Sequence, residues 1–495
     1  MLSFLLLRGF STMSVSELPI ARSDSFDRGR SQGYDLLRLR PVAALMHWVG
    51  FPYFFQAILL VFFVGLAVLA SGLYPPEDVP GRLYAKTNLV TLLVWGLWWP
   101  AMVWAAVLLG RAWCAICPLE LLANATERLG RRLGVRRRVL GKWLRSGALI
   151  VGLYALIQMS VQGVDLHRHP AYTSLFLWGL LAMAAFAGFF FKDRAFCRGF
   201  CPVGLLLGTY GRGGMLAMRP VAAEPCVACP DRECVRGGNR TRLDARSCPS
   251  LLNPARLNGN SDCLVCGQCV KACPPGNMGL FLRPLFPRGD ARESMASWPV
   301  TLFVMLVSGF VVIQMFSEWS AAQEVFLWVP KQVASGLGLT SYAGWIQGIW
   351  ALIVAPAVLW SLLGGLVVLT RGASHLVEAW RRMAIPLAVL IAFAHMAKGL
   401  AKFVTWAGFL PIAVGDPSGV ESGRMLAAKT LAPPPDLLPI TTVSVISMVL
   451  VLAGTYFTLR EFRLAQGAAH RSYQWPTLIL ASGLLFLVFG WGFLQ

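Results

Sequence analysis

The sequence predicts a polytopic all-α membrane protein of about nine transmembrane helices, with one polar segment inserted between the fourth and the fifth. Three observations carry this. The chain of 495 residues is 56% hydrophobic and 14% charged, with 18 Trp and 29 Phe, well beyond the apolar share of a soluble domain. Its apolar residues gather into nine runs close to the roughly 20 residues that cross the hydrocarbon core as a helix: 49–71, 89–109, 147–162, 173–191, 299–316, 345–369, 384–403, 437–459 and 475–493. All 12 cysteines lie between Cys114 and Cys273, in and around the insertion.

Residues 1–44 read as a cytosolic N-terminal tail. The opening MLSFLLLRGFSTM has too short an apolar stretch for a secretory signal, nothing basic before it and no small-x-small site after it, so an ordinary tail, with Met13 as an alternative start, is expected. Residues 45–191 form a four-helix membrane domain. Orientation follows from Lys and Arg in the loops. The tail (Arg22, Arg28, Arg30, Arg38, Arg40), the segment RLGRRLGVRRRVLGKWLR at 128–145, and segments 371–382 and 460–471 fall on one side if all nine runs span. The alternate connections 72–88, 163–172, 317–344 and 404–436 carry nearly balanced charge. The expected place is therefore a bacterial inner (cytoplasmic) membrane, with the N-terminus in the cytosol and the C-terminus in the periplasm. The net charge of +20 then lies mostly against the anionic leaflet of the lipid bilayer. No nucleic-acid partner is expected, because the basic residues flank membrane runs and topology accounts for them.

The second apolar run ends in GRAWCAICPLELL and the fourth in DRAFCRGFCPVGLL. Both copies read Arg-Ala-aromatic-Cys and close on Cys-Pro, and both lie at the cytosolic end of a run that enters with the same polarity. Cys114, Cys117, Cys197 and Cys201 can thus lie side by side. Four thiolates meeting at one point suit a third iron-sulfur cluster; a redox-active thiol pair, or cysteines buried as small hydrophobes, are the alternatives. Each proline can also end its helix.

Residues 192–298 contain the second Cys-Pro motif and a cytosolic domain rich in Gly, Pro, Asn and Arg. Disulfides are not expected in that compartment. CLVCGQCVKACP places Cys263, Cys266, Cys269 and Cys273 as C-x2-C-x2-C-x3-C-P, the bacterial ferredoxin spacing in which three thiolates hold one [4Fe-4S] cube and the fourth reaches a neighbouring one. A zinc ribbon would instead pair its cysteines in two separated knuckles. CVACPDREC supplies Cys226, Cys229 and Cys234, followed by Cys248-Pro249. The insertion is therefore read as bacterial-ferredoxin-like with two [4Fe-4S] clusters. Pseudo-twofold ferredoxin geometry assigns one to Cys226, Cys229, Cys234 and Cys273 and the other to Cys263, Cys266, Cys269 and Cys248; if the inserted residues break that symmetry, Cys248 and Cys273 swap back to their local loops.

NLVTLLVWGLWWPAMVWAAVLLGRAWCAICPLELL, then FCRGFCP, then the two-cluster loop resemble the polyferredoxin membrane proteins grouped with the nitrous-oxide reductase regulator NosR and the nitrate-reductase quinol dehydrogenase NapH. The resemblance covers roughly residues 40–316 and all 12 cysteines. It implies electron passage between the quinone pool and periplasmic enzymes, or support of metalloenzyme assembly. It also implies that Cys114, Cys117, Cys197 and Cys201 match the family's paired motifs and the other eight cysteines its two ferredoxin clusters. The family's pair is usually C-x3-C-P, and the first copy here is one residue shorter. No outer segment is long enough for the periplasmic flavin domain of the NosR branch.

Residues 299–495 form a five-helix membrane domain, and its last four runs match no part of the family pattern. In AHMAKGLAKFVTWAGFLP, His395, Lys398, Lys402 and Trp406 share one helix face. Ionisable side chains inside a span usually face the bundle interior or a cavity. Lys402 and Trp406 are read at the outer interface. For His395 and Lys398 three readings stand: an interfacial anchor, a quinone site in which His395 exchanges a proton, and haem ligation by His395. Haem is not expected, since no second axial ligand and no C-x-x-C-H site is evident. VDLHRHP puts Asp165, His167 and His169 in a short outer loop, read as solvated, and His47 is read as interfacial. The outer stretches 317–344 and 404–436 are long enough to cap a quinone pocket or to dock a periplasmic partner.

No Walker loop, strand-tied dinucleotide fingerprint or hydrolase motif competes. The expected function is a membrane-bound iron-sulfur electron-transfer protein that relays electrons between cytosolic-side clusters and a quinone or a membrane or periplasmic redox partner; as an enzyme it would be an oxidoreductase of quinol dehydrogenase type. The alternative is a maturation or redox-sensing factor for a metalloenzyme. A transporter is a third, weaker reading.

Overall fold

The computed structural model describes residues 33–494. The expectations for the opening segment, including Met13, Arg22, Arg28 and Arg30, lie outside the described residues. Each of the nine apolar runs is mainly helical. They occur in α2 (Tyr53–Leu69, after the short α1, Arg40–His47), α3 (Leu89–Leu109), α5 (Ala148–Gly163, after α4, Pro118–Arg132) and α6 (Pro170–Phe190). After a short α7 (Gly204–Tyr210) come α8 (Trp298–Phe316), α9 (Thr340–Leu369), α10 (Leu376–Ala407), α11 (Ile440–Gln466) and α12 (Gln474–Phe493). Six helical stretches are long and apolar enough to cross a membrane, the last of them running through α11 and α12 together, while α2 and α5 are shorter apolar helices. The described residues thus form a mostly helical fold with apolar helices long enough to cross a membrane.

The centre of the bundle is α10, whose apolar window is 89% buried. It packs against α11, α8, α3 and the second half of α9. Side chains from both halves of the chain share one core, with Met102 and Val103 of α3, Tyr154 of α5, Phe303 of α8, Leu390 of α10 and Trp491 of α12 all nearly or fully buried in it. The central helix α10 is thus packed directly onto α3, which leads into the first Cys-Pro motif, and onto α7, which follows the second.

Outside the bundle, residues on both sides of four apolar helices build one small sheet. β1 (Tyr34–Asp35), β2 (Leu216–Pro220) and β3 (Met278–Leu282) pair antiparallel in the order β1-β3-β2, with Tyr34 and Leu216 both opposite Leu282. Met46 of α1 and Phe51 pack with Met218, Val265, Val270, Met278 and Leu280 around Cys263 and Cys269. The stretch read as a cytosolic tail, 1–44, therefore ends in a strand of this sheet, and its Leu36, Leu37 and Val42 pack against the same core as Met46 and Phe51.

Candidate functional site

Two glycine contacts bring the Cys-Pro motifs together. Gly110 ends α3 with φ +69, a left-handed turn that glycine adopts without steric cost, and the chain then turns into Arg111. At Gly188 an added Cβ would collide with Ala123 and Thr126, so α4 lies tightly on α6 there. Ala184 and Ala187, both fully buried, extend this close small-residue seam. Cys117 is the extended residue before α4, with Pro118 at its first turn, and Cys201 is the extended residue that ends a π-helical turn, Phe196–Phe200. Backbone N–H groups of Glu120 and Leu119 point at Cys117, and that of Val203 at Cys201. Burial, and then Cys114 and Cys201, push the Cys117 thiol well up; burial and Cys114 push Cys201 up to about 11. Cys197 is raised by burial and also by Cys201 and Cys117. Four cysteines from two repeats thus stand close enough to act on one another's charge.

Two buried arginines offset that charge, each three residues before the first cysteine of its motif. Arg194 donates through Nε to Glu120 Oε2 (2.7 Å) and through Nη2 to Cys197 Sγ (3.1 Å). Glu120 also accepts from Asn124 (3.0 Å) and lies 3.7 Å from Arg246. Burial works against the Glu120 charge, but Arg194 and Arg246 hold its carboxyl below the usual range. Burial likewise works against the Arg194 charge, and Cys197 and Glu120 outweigh it and hold its pKa above the ordinary value. Arg111 is the counterpart beside Cys114, which raises its pKa against burial.

Both arginines also reach the inserted domain. Arg194 Nη1 donates to Ser250 Oγ (3.2 Å), two residues past Cys248, and Arg111 Nη1 to the Ser261 carbonyl (3.0 Å), two residues before Cys263. There Cys266 is pushed up to about 12 by burial and then by Cys248 and Cys263; Cys269 is raised by burial and by Cys266, Cys263 and Cys248. A cavity of about 20 Å³ is lined by these four cysteines with Met218 and Leu257. Cys226 and Cys234 are raised by burial and by Cys273 and Cys229. Asn277 donates its side-chain amide to Cys226 Sγ (3.2 Å) and its backbone N–H to Cys273 Sγ (3.3 Å). The two groups touch through the Cys248 N–H to the Cys234 carbonyl (2.8 Å). Among the described residues, no three Cys, His, Asp or Glu side chains are placed to hold a single metal ion. A cube binds each thiolate to a different iron and so holds sulfurs further apart than one ion does; all-thiolate donor sets with N–H groups aimed at sulfur fit such clusters.

A cavity of about 390 Å³ opens from the Cys-Pro set into the bundle. Cys114, Cys117, Cys197 and Cys201 line one end, and Trp95, Trp98 and Trp99, from and just after a π-helical stretch of α3 (Leu92–Trp98), line its wall. The i→i+5 winding of that stretch rotates successive large side chains toward the space. His395 and Lys398, the candidates on α10, do not line it. His395 is 3% exposed and held from both sides: Trp99 Nε1 donates to its Nε2 (3.4 Å), and the Tyr210 hydroxyl lies 3.3 Å from its Nδ1. Lys398 pairs with Glu318. Lys402 lies over the Trp406 ring, 4.6 Å from its centroid. In the loop between α5 and α6 Asp165 pairs with Arg168 (2.9 Å), and His169 stacks on Tyr172. His47 is exposed.

Sequence reasoning missed Arg111, Arg194, Glu120, Arg246 and the cavity. Only Arg111 and Arg194 left a signal, since each opens one copy of the repeated Arg-Ala-aromatic-Cys.

A family described as a 4Fe-4S binding domain matches the chain twice, at residues 91–136 and 174–219, so each match carries one Cys-Pro motif. YccM of Escherichia coli, whose name assigns it to electron transport, is 25% identical over 232 residues, 41% of this chain and 60% of YccM. The ferredoxin-type protein NapH of Haemophilus influenzae is 25% identical over 187 residues, 34% of this chain and 61% of NapH. The methylamine utilization ferredoxin-type protein MauN of Methylorubrum extorquens is 27% identical over 129 residues, 24% of this chain and 45% of MauN. The chain thus spans about 60% of the length of the first two and less than half of the third. No solved structure matches. These similarities bear out the resemblance to NapH-type polyferredoxin membrane proteins, with the 4Fe-4S binding domain family matched at both Cys-Pro motifs.

Proposed function

We propose that the chain relays single electrons through three cysteine sets in a fixed order, between the cytosolic face of the membrane and a quinone or a membrane or periplasmic redox partner. The outermost set is Cys226, Cys229, Cys234 and Cys273; the middle one is Cys248, Cys263, Cys266 and Cys269; the innermost is Cys114, Cys117, Cys197 and Cys201. Each [4Fe-4S] cluster supplies a one-electron couple when bound. The observation that carries the reading is the bridging: the Cys248 N–H joins the first set to the second, and Arg111 and Arg194 join the second to the third.

In this reading all nine apolar helices cross the membrane with the cysteine sets on the cytosolic side, supported by the basic segments at that end of the helices. His395 and Lys398 serve as buried links within the bundle, since each already has protein partners. Iron and acid-labile sulfide per chain, measured on anaerobically purified protein, test the proposal. Wild type is expected to hold about 12 iron, four per cube, and a Cys114→Ser/Cys117→Ser variant about 8. About 8 in both overturns the innermost cluster.

A further inference from the structure

Arg111 and Arg194 occupy equivalent places in the two repeats, yet the fold surrounds them differently. Each opens Arg-Ala-aromatic-Cys, and each lines the end of the cavity where the four Cys-Pro cysteines stand. Arg194 carries its own counter-charge: Glu120 lies 2.7 Å away, and the two side chains are 3% and 6% exposed. Arg111 is paired otherwise. Among the described residues its one ion-pair partner is Asp262, 3.9 Å away and 69% exposed, whereas the Arg111 side chain is 11% exposed. Water and salt screen the aspartate, and little screens the arginine. Arg111 is held in place by the Ser261 carbonyl, which accepts from Nη1 at 3.0 Å and leaves its charge uncancelled.

The charge that remains reaches both repeats. Arg111 acts on Cys114 of its own motif and on Cys201 of the other, so it stands toward the set as a whole and not toward one thiol. A unit charge in a site from which water is excluded acts several-fold more strongly than the same charge at the surface. The potential of a thiolate-bound iron-sulfur centre depends on net charge and on hydrogen bonds to its sulfurs. A nearby cation favours the state with the extra electron, and a cation beside its own carboxylate does so far less. At Cys197 the two opposing effects meet: Arg194 donates to its Sγ at 3.1 Å, and Glu120 Oε2 lies 3.2 Å from the same sulfur. We propose that Arg111 supplies the charge that sets the reduction potential of the innermost set, while Arg194 and Glu120 together act as a brace that contributes little to it. The proposal rests on the relay reading, in which that set holds a cluster. The repeats are thus equal in their cysteines and unequal in their arginines.

Redox titration followed by electron paramagnetic resonance, on the full chain purified anaerobically in detergent, tests this. The midpoint of the innermost set is the one missing from Cys114→Ser/Cys117→Ser. Arg111→Gln is expected to weaken that set's hold on its electron about ten-fold, which lowers the midpoint by about 59 mV for a one-electron couple, and to move the two ferredoxin midpoints less. Arg111→Lys keeps the charge and should restore most of the shift. Arg194→Gln/Glu120→Gln removes one charge of each sign and should move the midpoint less than Arg111→Gln does. Iron per chain should stay at about 12 in all three variants. An unchanged midpoint in Arg111→Gln, an equal fall in Arg111→Lys, or as large a fall in Arg194→Gln/Glu120→Gln overturns the proposal. Should Arg111→Gln lose about four iron, Arg111→Lys decides alone: a midpoint near wild type upholds the role of the charge, and a hold about ten-fold weaker overturns it. About 8 iron and only two midpoints in the wild type overturn the relay reading itself, and the proposal with it.

Discussion

Arg194 and Glu120 form a buried ion pair, Nε to Oε2 at 2.7 Å, with side chains 3% and 6% exposed, that ties the second Cys-Pro motif to the helix following the first. Neither charge has water to fall back on. Removing one partner of such a pair leaves the other uncompensated, whereas removing both is far milder.

Arg194→Gln is therefore expected to destabilise the protein by roughly 3–5 kcal/mol, and Arg194→Gln/Glu120→Gln by much less. Denaturant unfolding in detergent, followed by intrinsic fluorescence, reads the difference. Equal losses in the single and double variants would show that the pair is not the source of the effect.

The two candidate pairings of the ferredoxin cysteines predict opposite iron contents. If Cys273 serves the outermost set, Cys226→Ser/Cys273→Ser loses about four iron, one cube, while Cys263→Ser/Cys273→Ser loses about eight. Iron per chain on the two double variants decides between them. The reverse pattern returns Cys273 to its own loop.

Lys398, itself buried, and the partly exposed Glu318 make a second charged link, between α10 and the segment after α8. Lys398→Met and Glu318→Gln should each lower the thermal midpoint, with a coupling of about 0.5–3 kcal/mol in the double-mutant cycle. A coupling near zero would mean that the two side chains do not act as a pair.

Backbone carbonyls of the loop after α10 fasten it to the residues just before α3, and Asp416 shapes that loop. Asp416 accepts from Ser418 and Ser422, and the following residues accept from Tyr84, Thr87 and Asn88. Burial works against the Asp416 charge, but those hydroxyls and the Ser422 and Gly419 N–H groups hold its pKa below the ordinary value. The stability it adds is thus fully present above the usual Asp range near 4 and is lost as the pH falls through the lowered folded value. Asp416→Asn should flatten that part of the pH–stability curve. An unchanged curve between pH 5 and about 2 would assign the acid sensitivity elsewhere.

Much of this organisation was legible in the chain. The nine apolar runs needed only composition, and C-x2-C-x2-C-x3-C-P needed only spacing, because a helix and a cluster loop are both local. The Glu120–Arg194 pair was not legible: its partners are 74 positions apart, and a glutamate in an amphipathic helix reads as solvated until α6 covers it. Tyr154 and Gln158 look like ordinary members of an apolar run, and only the fold shows that they line a cavity. The strand at Tyr34 was hidden for the same reason, since two residues give no periodicity.

That strand sets an order of events during synthesis. Tyr34 pairs with Leu282, so the first piece of the inserted domain leaves the ribosome before four apolar helices and the last piece after them. At about 5–20 residues per second, the roughly 250 residues between them take tens of seconds to emerge. During that interval Met46 and Phe51 have no β3 to pack on, and the thiols at 226–273 arrive one loop at a time. Cys263 and Cys269 therefore join Met46 and Phe51 in one core only after the four apolar helices between them have left the ribosome.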